Sequence, residues 1–470
     1  MIGRNEELAI LKSLENTEKP AFVAVYGRRR IGKTYLIRHV FEGRFTFYTT
    51  GIANVGLKIQ LTNFYSALVR FFPWLENKPL PSNWFQAFGY LIAALEQDEN
   101  KQKILFFDEL PWFDYPGAGF IPALEHFWNS WASARKDVLL IVCGSAASWM
   151  ITNLINNRGG LHNRVTHRLP IEPFTLSECE AFLQSKSANY SRYQIVQLYM
   201  AFGGIPFYLE FIKPEKSVAQ NINDLCFSPR GLLRTEYENL YASLFKNPGR
   251  HIAVIEALAK KAKGLERPEL LKLAKLTDGG TATKTLRELE ASGFIRKYPA
   301  FGKKNRYILY QLSDPYSLFY LRFIKESSDL DKNFWLNAID SPEIRAWSGY
   351  AFEQVCLAQL DQIKQALGIS GIQTRSSAWV GKYEGQKAQI DLVIDRRDQV
   401  INLCEMKFSM DVFKIDKSYA DKLRTKIRIF KSATETKKAV FLTLITTFGL
   451  ESGGYSGGLV QNSLTMDVLF

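Results

Sequence analysis

The chain has 470 residues, 46% hydrophobic and 23% charged, with a formal net charge of +13. Such a composition excludes a disordered or collagen-like chain and leaves room for two to four globular domains. Five scattered cysteines without a CxxC pair and five unclustered histidines argue against a disulfide framework and a zinc site.

The opening MIGRNEELAI is charged, so no signal peptide is expected. The most apolar stretch, VLLIVCGSAASWMI (138–151), is too short for a membrane span, which predicts a cytoplasmic protein without a membrane partner. The excess of positive charge favours polyanions, nucleic acid first among them.

The segment AFVAVYGRRRIGKTYLIRHVF (21–41) divides into an apolar strand, a glycine-bounded loop and a helix. Its centre, GRRRIGKT, matches G-x-x-x-x-G-K-[ST] at every fixed position. Gly27, Arg28, Arg29, Arg30, Ile31, Gly32, Lys33 and Thr34 are therefore expected to wrap the phosphates of ATP. Lys33 would meet the β- and γ-phosphates, Thr34 would offer its hydroxyl to Mg²⁺, and the helix N-terminus would add partial positive charge. A basic solvated turn would not need both glycines.

KILFFDELPWF (103–113) predicts a second buried strand ending in two acids. Asp108 is expected to hold Mg²⁺ and Glu109 to polarise the attacking water; the alternative is an acidic pair that merely ends a strand. DVLLIVCGSAAS (137–148) predicts a third strand, ending at Ser145. NNRGGLHNRVTHR (156–168) follows with Arg158, Arg164 and Arg168.

With the flanking GRNEELAIL (3–11), LPIEPFTLSECEAFL (169–183) and AFGGIPFYLEFI (201–212), this set resembles the prokaryotic, archaeal-type AAA-like ATPases related to the STAND class. The resemblance spans about residues 1–330. It implies that Ser145 senses the γ-phosphate and that Pro206 couples the nucleotide to a helical lid. Arg164 would act as an arginine finger toward a neighbouring subunit of a homo-oligomer, against the alternatives of surface charge or a nucleic-acid backbone contact.

Residues 249–312 read as three helices and a hairpin with a basic turn, the pattern of a winged helix. Lys284, Arg287, Lys303, Lys304 and Arg306 would decorate its third helix and wing, where DNA readers place cations. A lid or an oligomer contact is the competing role. An aromatic helical connector, 313–345, comes next.

The last segment holds INLCEMKFS (401–409), an apolar strand that carries Glu405 and Lys407 on one face. Burying both without partners is costly. The preceding QKAQIDLVIDRRDQ suggests a hairpin turning near 397, with Ile390, Leu392 and Ile394 on one face and Asp391 on the other. In that register Asp391 and Glu405 are diagonal neighbours, roughly 7–8 Å apart at the backbone.

Asp-x13-Glu-x-Lys resembles the PD-(D/E)XK nucleases, although Ile390 stands where that name has proline. The resemblance implies an acid from a preceding helix, matched by Glu353. It also implies Mg²⁺, with Mn²⁺ as an alternative, held by Asp391 and Glu405, and a lysine, Lys407, that orients water. Lys422, Arg424, Lys426 and Arg428 on the next helix suit phosphate contacts. A structural ion pair is the alternative.

The expected architecture is α/β: a P-loop NTPase core (1–175), a helical lid (176–248), a winged helix (249–312), the connector (313–345) and a PD-(D/E)XK nuclease-like domain (346–470). The expected function is an ATPase coupled to a metal-dependent nuclease acting on nucleic acid, DNA first. Its rival is a signalling-type ATPase switch whose C-terminal domain binds nucleic acid without cutting; no second RecA-like core supports a helicase.

Overall fold

In a computed structural model, residues 1–470 are described except 16, 262–263, 303–307 and 328–330. The chain divides into two units, Met1–Glu172 and Pro173–Phe470.

Five parallel strands form the sheet of the first unit: β1 (Ala21–Tyr26), β2 (Phe45–Thr50), β3 (Lys103–Asp108), β4 (Val138–Gly144) and β5 (His167–Pro170), in the order β2-β3-β4-β1-β5. The central strands β3 and β4 are buried along their whole length, as their unbroken apolar runs require in a parallel sheet covered on both faces. Because β4 lies between β1 and β3 and pairs parallel with both, the C-terminal ends of all three strands open on the same edge. That is where ligands bind in open parallel sheets.

Much of the aromatic content forms one core here. Trp84 lies edge-on to Phe120, with ring centroids 4.9 Å apart, and Phe113 stacks on Phe120 at 5.1 Å. Phe47, Phe64, Phe88 and Phe107 complete the cluster beneath β2 and β3. Edge-on and offset pairs of this kind add about 0.5–1.5 kcal/mol each beyond simple burial.

The second unit opens with helices whose starts are written in the sequence. Thr175/Glu178, Ser191/Gln194 and Ser217/Gln220 form reciprocal capping boxes at Leu176–Ser185, Arg192–Phe202 and Val218–Cys226. Within 249–312, helices Pro248–Ala259, Arg267–Leu273 and Gly280–Ala291 accompany three short antiparallel strands. These are β6 (Leu265–Glu266), β7 (Ile295–Pro299) and β8 (Ile308–Leu312), in the order β6-β8-β7. Lys284 and Arg287 lie exposed on the third helix. Lys303, Lys304 and Arg306 lie outside the described residues.

The helix that carries Glu353 starts at Pro342, inside the expected connector, because Ser341 Oγ accepts from Ile344 N and proline suits the first helical position. A second five-stranded sheet follows, comprising β9 (Thr374–Tyr383), β10 (Gln386–Arg396), β11 (Val400–Lys407), β12 (Ala439–Thr446) and β13 (Asn462–Thr465). β9, β10 and β11 are an antiparallel meander, and β12 and β13 join parallel after the helix Lys417–Thr434 crosses over. Among the described residues no helix is long and apolar enough to cross a membrane.

Candidate functional site

Two constellations stand out, one in each unit. In the first, the loop between β1 and the helix Lys33–Phe41 turns through positive φ at Gly27 (150°), Arg30 (70°) and Gly32 (87°). A Cβ on Gly27 would lie 2.2 Å from Ile171 O, so this glycine answers to close backbone packing as well as to φ. Arg28 and Ile31 are buried, Arg30 is half-buried and Arg29 is exposed.

Lys33 Nζ donates to Arg28 O at 2.7 Å and to Ser145 Oγ at 3.0 Å, which bends the ammonium back over its own loop. Burial holds the Lys33 ammonium below the usual lysine range, opposed by the nearby Cys143, Glu109 and Asp108. Thr34 Oγ1 donates toward both Asp108 oxygens, at 3.2 and 3.0 Å. Burial, then the adjacent Glu109 charge, pushes the Asp108 carboxyl up. Hydroxyl and carboxylate together at a helix N-terminus are hard oxygen donors that fit Mg²⁺.

Glu109 itself has φ 47°, a left-handed conformation rare for a non-glycine residue. Its carboxylate accepts from Ser145 Oγ at 2.7 Å and from Ser145 N at 3.2 Å. Lys33, Thr34, Asp108, Glu109 and Ser145 therefore form one connected cluster, and β4 joins it because it runs between the other two strands.

Arg158, Arg164 and Arg168 are exposed. Pro206 opens the short helix Pro206–Glu210 in the second unit, just after Gly204, whose Cβ would meet Phe174 O at 1.9 Å.

Sequence reasoning missed Arg4. This arginine, 5% exposed, donates to Ile31 O at 3.3 Å and Glu172 O at 2.5 Å, tying the GRNEELAIL segment to the phosphate loop and to the chain beyond β5. Its signal was a charge directly before a helix, which reads equally well as solvated.

The second constellation corrects several expectations about the C-terminal hairpin. The turn spans 397–399 and centres on 398, one residue later than expected, and the last registered pair is Leu392 with Cys404. Asp391 and Glu405 are the next residue on each strand, one step beyond the registered ladder, so the diagonal offset expected from a turn near 397 is not the register seen. A β-bulge between Ile390 and Val393 shifts the faces: Ile390 joins Val393, Ile401 and Leu403 in one apolar cluster instead of siding with Leu392 and Ile394. Bulges re-aim side chains in this way, and Asp391 sits inside it.

Both faces of β11 are covered from Ile401 to Met406, and Glu405 is 4% exposed. Its partner is Lys426, at 2.5 Å, with the Tyr419 hydroxyl at 3.5 Å. Lys426 thus neutralises an acid instead of lying free for phosphate. Lys407 is half-buried, its Nζ 5.2 Å from the Tyr419 ring centroid. Asp391 accepts from Gln389 Nε2 at 2.7 Å.

Arg424 turns to Asp421, and Arg428 to Glu384 and Gln386, away from the phosphate role expected of them. Glu353 is half-buried on its helix. Asp391 and Glu405 are hard donors by chemistry. Among the described residues, however, no three His, Cys, Asp or Glu side chains are close enough to hold one metal ion together.

A cleft of about 1080 Å³ opens beside the hairpin. Lys387, Lys417, Lys422 and Lys426 line it with Asp391 and Asp421. With Lys426 held by Glu405, three cations against two anions leave a concave, net positive wall suited to a polyanion.

Comparison with known proteins bears on the first constellation. Residues 1–212 match a family described as an ATPase domain predominantly from Archaea, so this stretch is similar to that family. The chain is 25% identical to protein MJECL04 of Methanocaldococcus jannaschii over 364 residues, 75% of this chain and 76% of that protein. Among solved structures it is similar to the Walker-type ATPase paby2304 of Pyrococcus abyssi, with 17% identity, 69% and 96% of the two chains covered and a TM-score of 0.49. The ORC2 protein of Aeropyrum pernix, in its ADPNP–ADP complexes, matches with 13% identity, 68% and 92% coverage and a TM-score of 0.42.

Proposed function

We propose that the protein binds and hydrolyses ATP with Mg²⁺ in its first unit and that its C-terminal sheet is a metal-dependent nuclease acting on nucleic acid, DNA first. For the ATPase, the carrying observation is the connected cluster of Lys33, Thr34, Asp108, Glu109 and Ser145. Lys33 would neutralise the β- and γ-phosphates, Thr34 and Asp108 would hold the metal, and Glu109 would orient the attacking water. Glu109→Gln should keep nucleotide binding and slow hydrolysis at least tenfold, whereas Lys33→Ala should weaken binding itself; hydrolysis at the wild-type rate by Glu109→Gln would refute its role.

For the nuclease, the reading rests on the lysine-lined cleft with Asp391 at its wall and Glu405 across the hairpin. Asp391 and Glu405 would hold a divalent ion, which would supply Lewis-acid stabilisation of the phosphodiester, and Lys407 would balance charge. Linear and circular DNA incubated with Mg²⁺ or Mn²⁺, with and without ATP, tests it. Glu405→Ala and Lys407→Ala should abolish cleavage while ATP hydrolysis persists, and both should remain folded.

The second reading is an ATPase switch whose C-terminal domain binds nucleic acid without cutting. The Lys426–Glu405 ion pair favours it, since a lysine already supplies the countercharge. In that case DNA binds the cleft, and no divalent ion produces cuts. In the nuclease reading the 249–312 segment is a winged helix presenting Lys284 and Arg287 to DNA; its rival role as a lid predicts unchanged DNA affinity when both are reversed.

A further inference from the structure

Strand β7 belongs to the 249–312 segment, yet its end and its side chains reach into the C-terminal sheet. Phe301 N donates to Ala378 O at 2.9 Å, beside a parallel bridge between Ala300 and Ala378 of β9. The Phe301 ring packs on Phe430 of the crossover helix, with centroids 5.1 Å apart. Earlier on the strand, Arg296 Nη2 donates to Gln354 Oε1. Gln354 is 4% exposed and directly follows Glu353 on its helix.

Tyr298 lies within the electrostatic reach of the same acids. Burial pushes its phenol up to about 12, against the Arg296 charge and with the Asp391 and Glu353 carboxylates adding to the rise. Burial, in turn, holds the guanidinium of the half-buried Arg296 below its usual range.

We propose that Arg296 is a positioning residue for the acid site: through Gln354 it pins the helical turn that carries Glu353. A hydrogen bond from a charged donor is roughly twice as strong as a neutral one, which suits it to fixing one side-chain turn. Active-site groups must hold within about 0.5 Å of the productive geometry. It follows that the 249–312 segment supplies part of the framework of the acid site. The inference rests on the nuclease reading above.

The test uses the full chain on linear duplex DNA with Mn²⁺, comparing Arg296→Met, Arg296→Lys, Gln354→Leu and Glu405→Ala. Arg296→Met and Gln354→Leu should lower kcat about 10- to 100-fold at unchanged KM, as small displacements of a reacting group do. Arg296→Lys should recover most of the rate, because an ammonium can still donate to Gln354. Unfolding midpoints accompany each assay; if Arg296→Met fails to fold, Gln354→Leu, which keeps the buried volume, carries the result.

Wild-type cutting by Arg296→Met and Gln354→Leu, with Glu405→Ala inactive, overturns the positioning role and leaves the nuclease standing. Equal losses in Arg296→Met and Arg296→Lys overturn it as well. A wild-type chain that does not cut, or Glu405→Ala cutting normally, brings down the nuclease reading and this inference with it.

Discussion

Asp108 and Lys33 are both kept from water, and burial disfavours the charged form of each, so the phosphate site costs the nucleotide-free fold stability in opposite pH directions. For Asp108 the folded carboxyl titrates above its ordinary 3.8. The native state therefore binds the proton more tightly, and stability falls as pH rises from 3.8 through the raised value. Asp108→Asn should then stabilise the nucleotide-free protein at neutral pH, a benefit that fades below the ordinary carboxylate range. Calorimetry across that pH window checks it. Lys33 has the opposite sign: its folded value is depressed, so its penalty eases as pH rises toward the lysine range. In the second unit, the nuclease reading predicts that Lys426→Met tightens Mn²⁺ binding at Glu405, because the metal no longer competes with an ammonium at 2.5 Å; titration calorimetry reads this directly. The P-loop residues were legible because their spacing is local and rigid. Lys426 was not, since a residue on a helix well beyond β11 gives no sign of which strand it will face.

At the scale of elements, glycine positions in the phosphate loop are not equivalent. Gly27 meets Ile171 O at 2.2 Å if a Cβ is added, whereas Gly32 at φ 87° has nothing within 4 Å. Gly27→Ala should cost about 3 kcal/mol or more and displace β5, while Gly32→Ala carries only the backbone penalty, about 1–2 kcal/mol. Denaturant midpoints of the two variants separate close packing from conformational strain. A milder perturbation tests the helices of the second unit: Ser191→Ala removes one arm of a capping box and should cost about 1 kcal/mol. Alternation along β10 and β11 pointed to the hairpin and its paired acids. The bulge at Ile390–Val393 escaped notice because an inserted residue looks like ordinary alternation until the partner strand is known. Strand β12 joins β11 through a crossover helix, and β13 then pairs with β12 after a further loop, long-range pairings that local pattern does not encode.

For the molecule as a whole, a charge of +13 says only that polyanions are attracted, and the fold gives that charge a place. Replacing Lys387, Lys417 and Lys422 of the cleft with alanine should weaken duplex binding uniformly across sequences. It should also flatten the slope of log K against log salt by about 2.7, at roughly 0.9 for each phosphate no longer neutralised. An unchanged slope would move the nucleic-acid surface elsewhere. Strand β9 ends its sheet, and the bridge from Ala300 occupies Ala378 near its middle. Beyond that point Val380 is 61% exposed and Tyr383 36% exposed, on a strand whose outer backbone groups form a template for another chain. The 249–312 segment thus covers the middle of that edge. A fragment beginning at residue 313 would bare the full length of β9 and should aggregate through it, and Val380→Lys should restore its solubility.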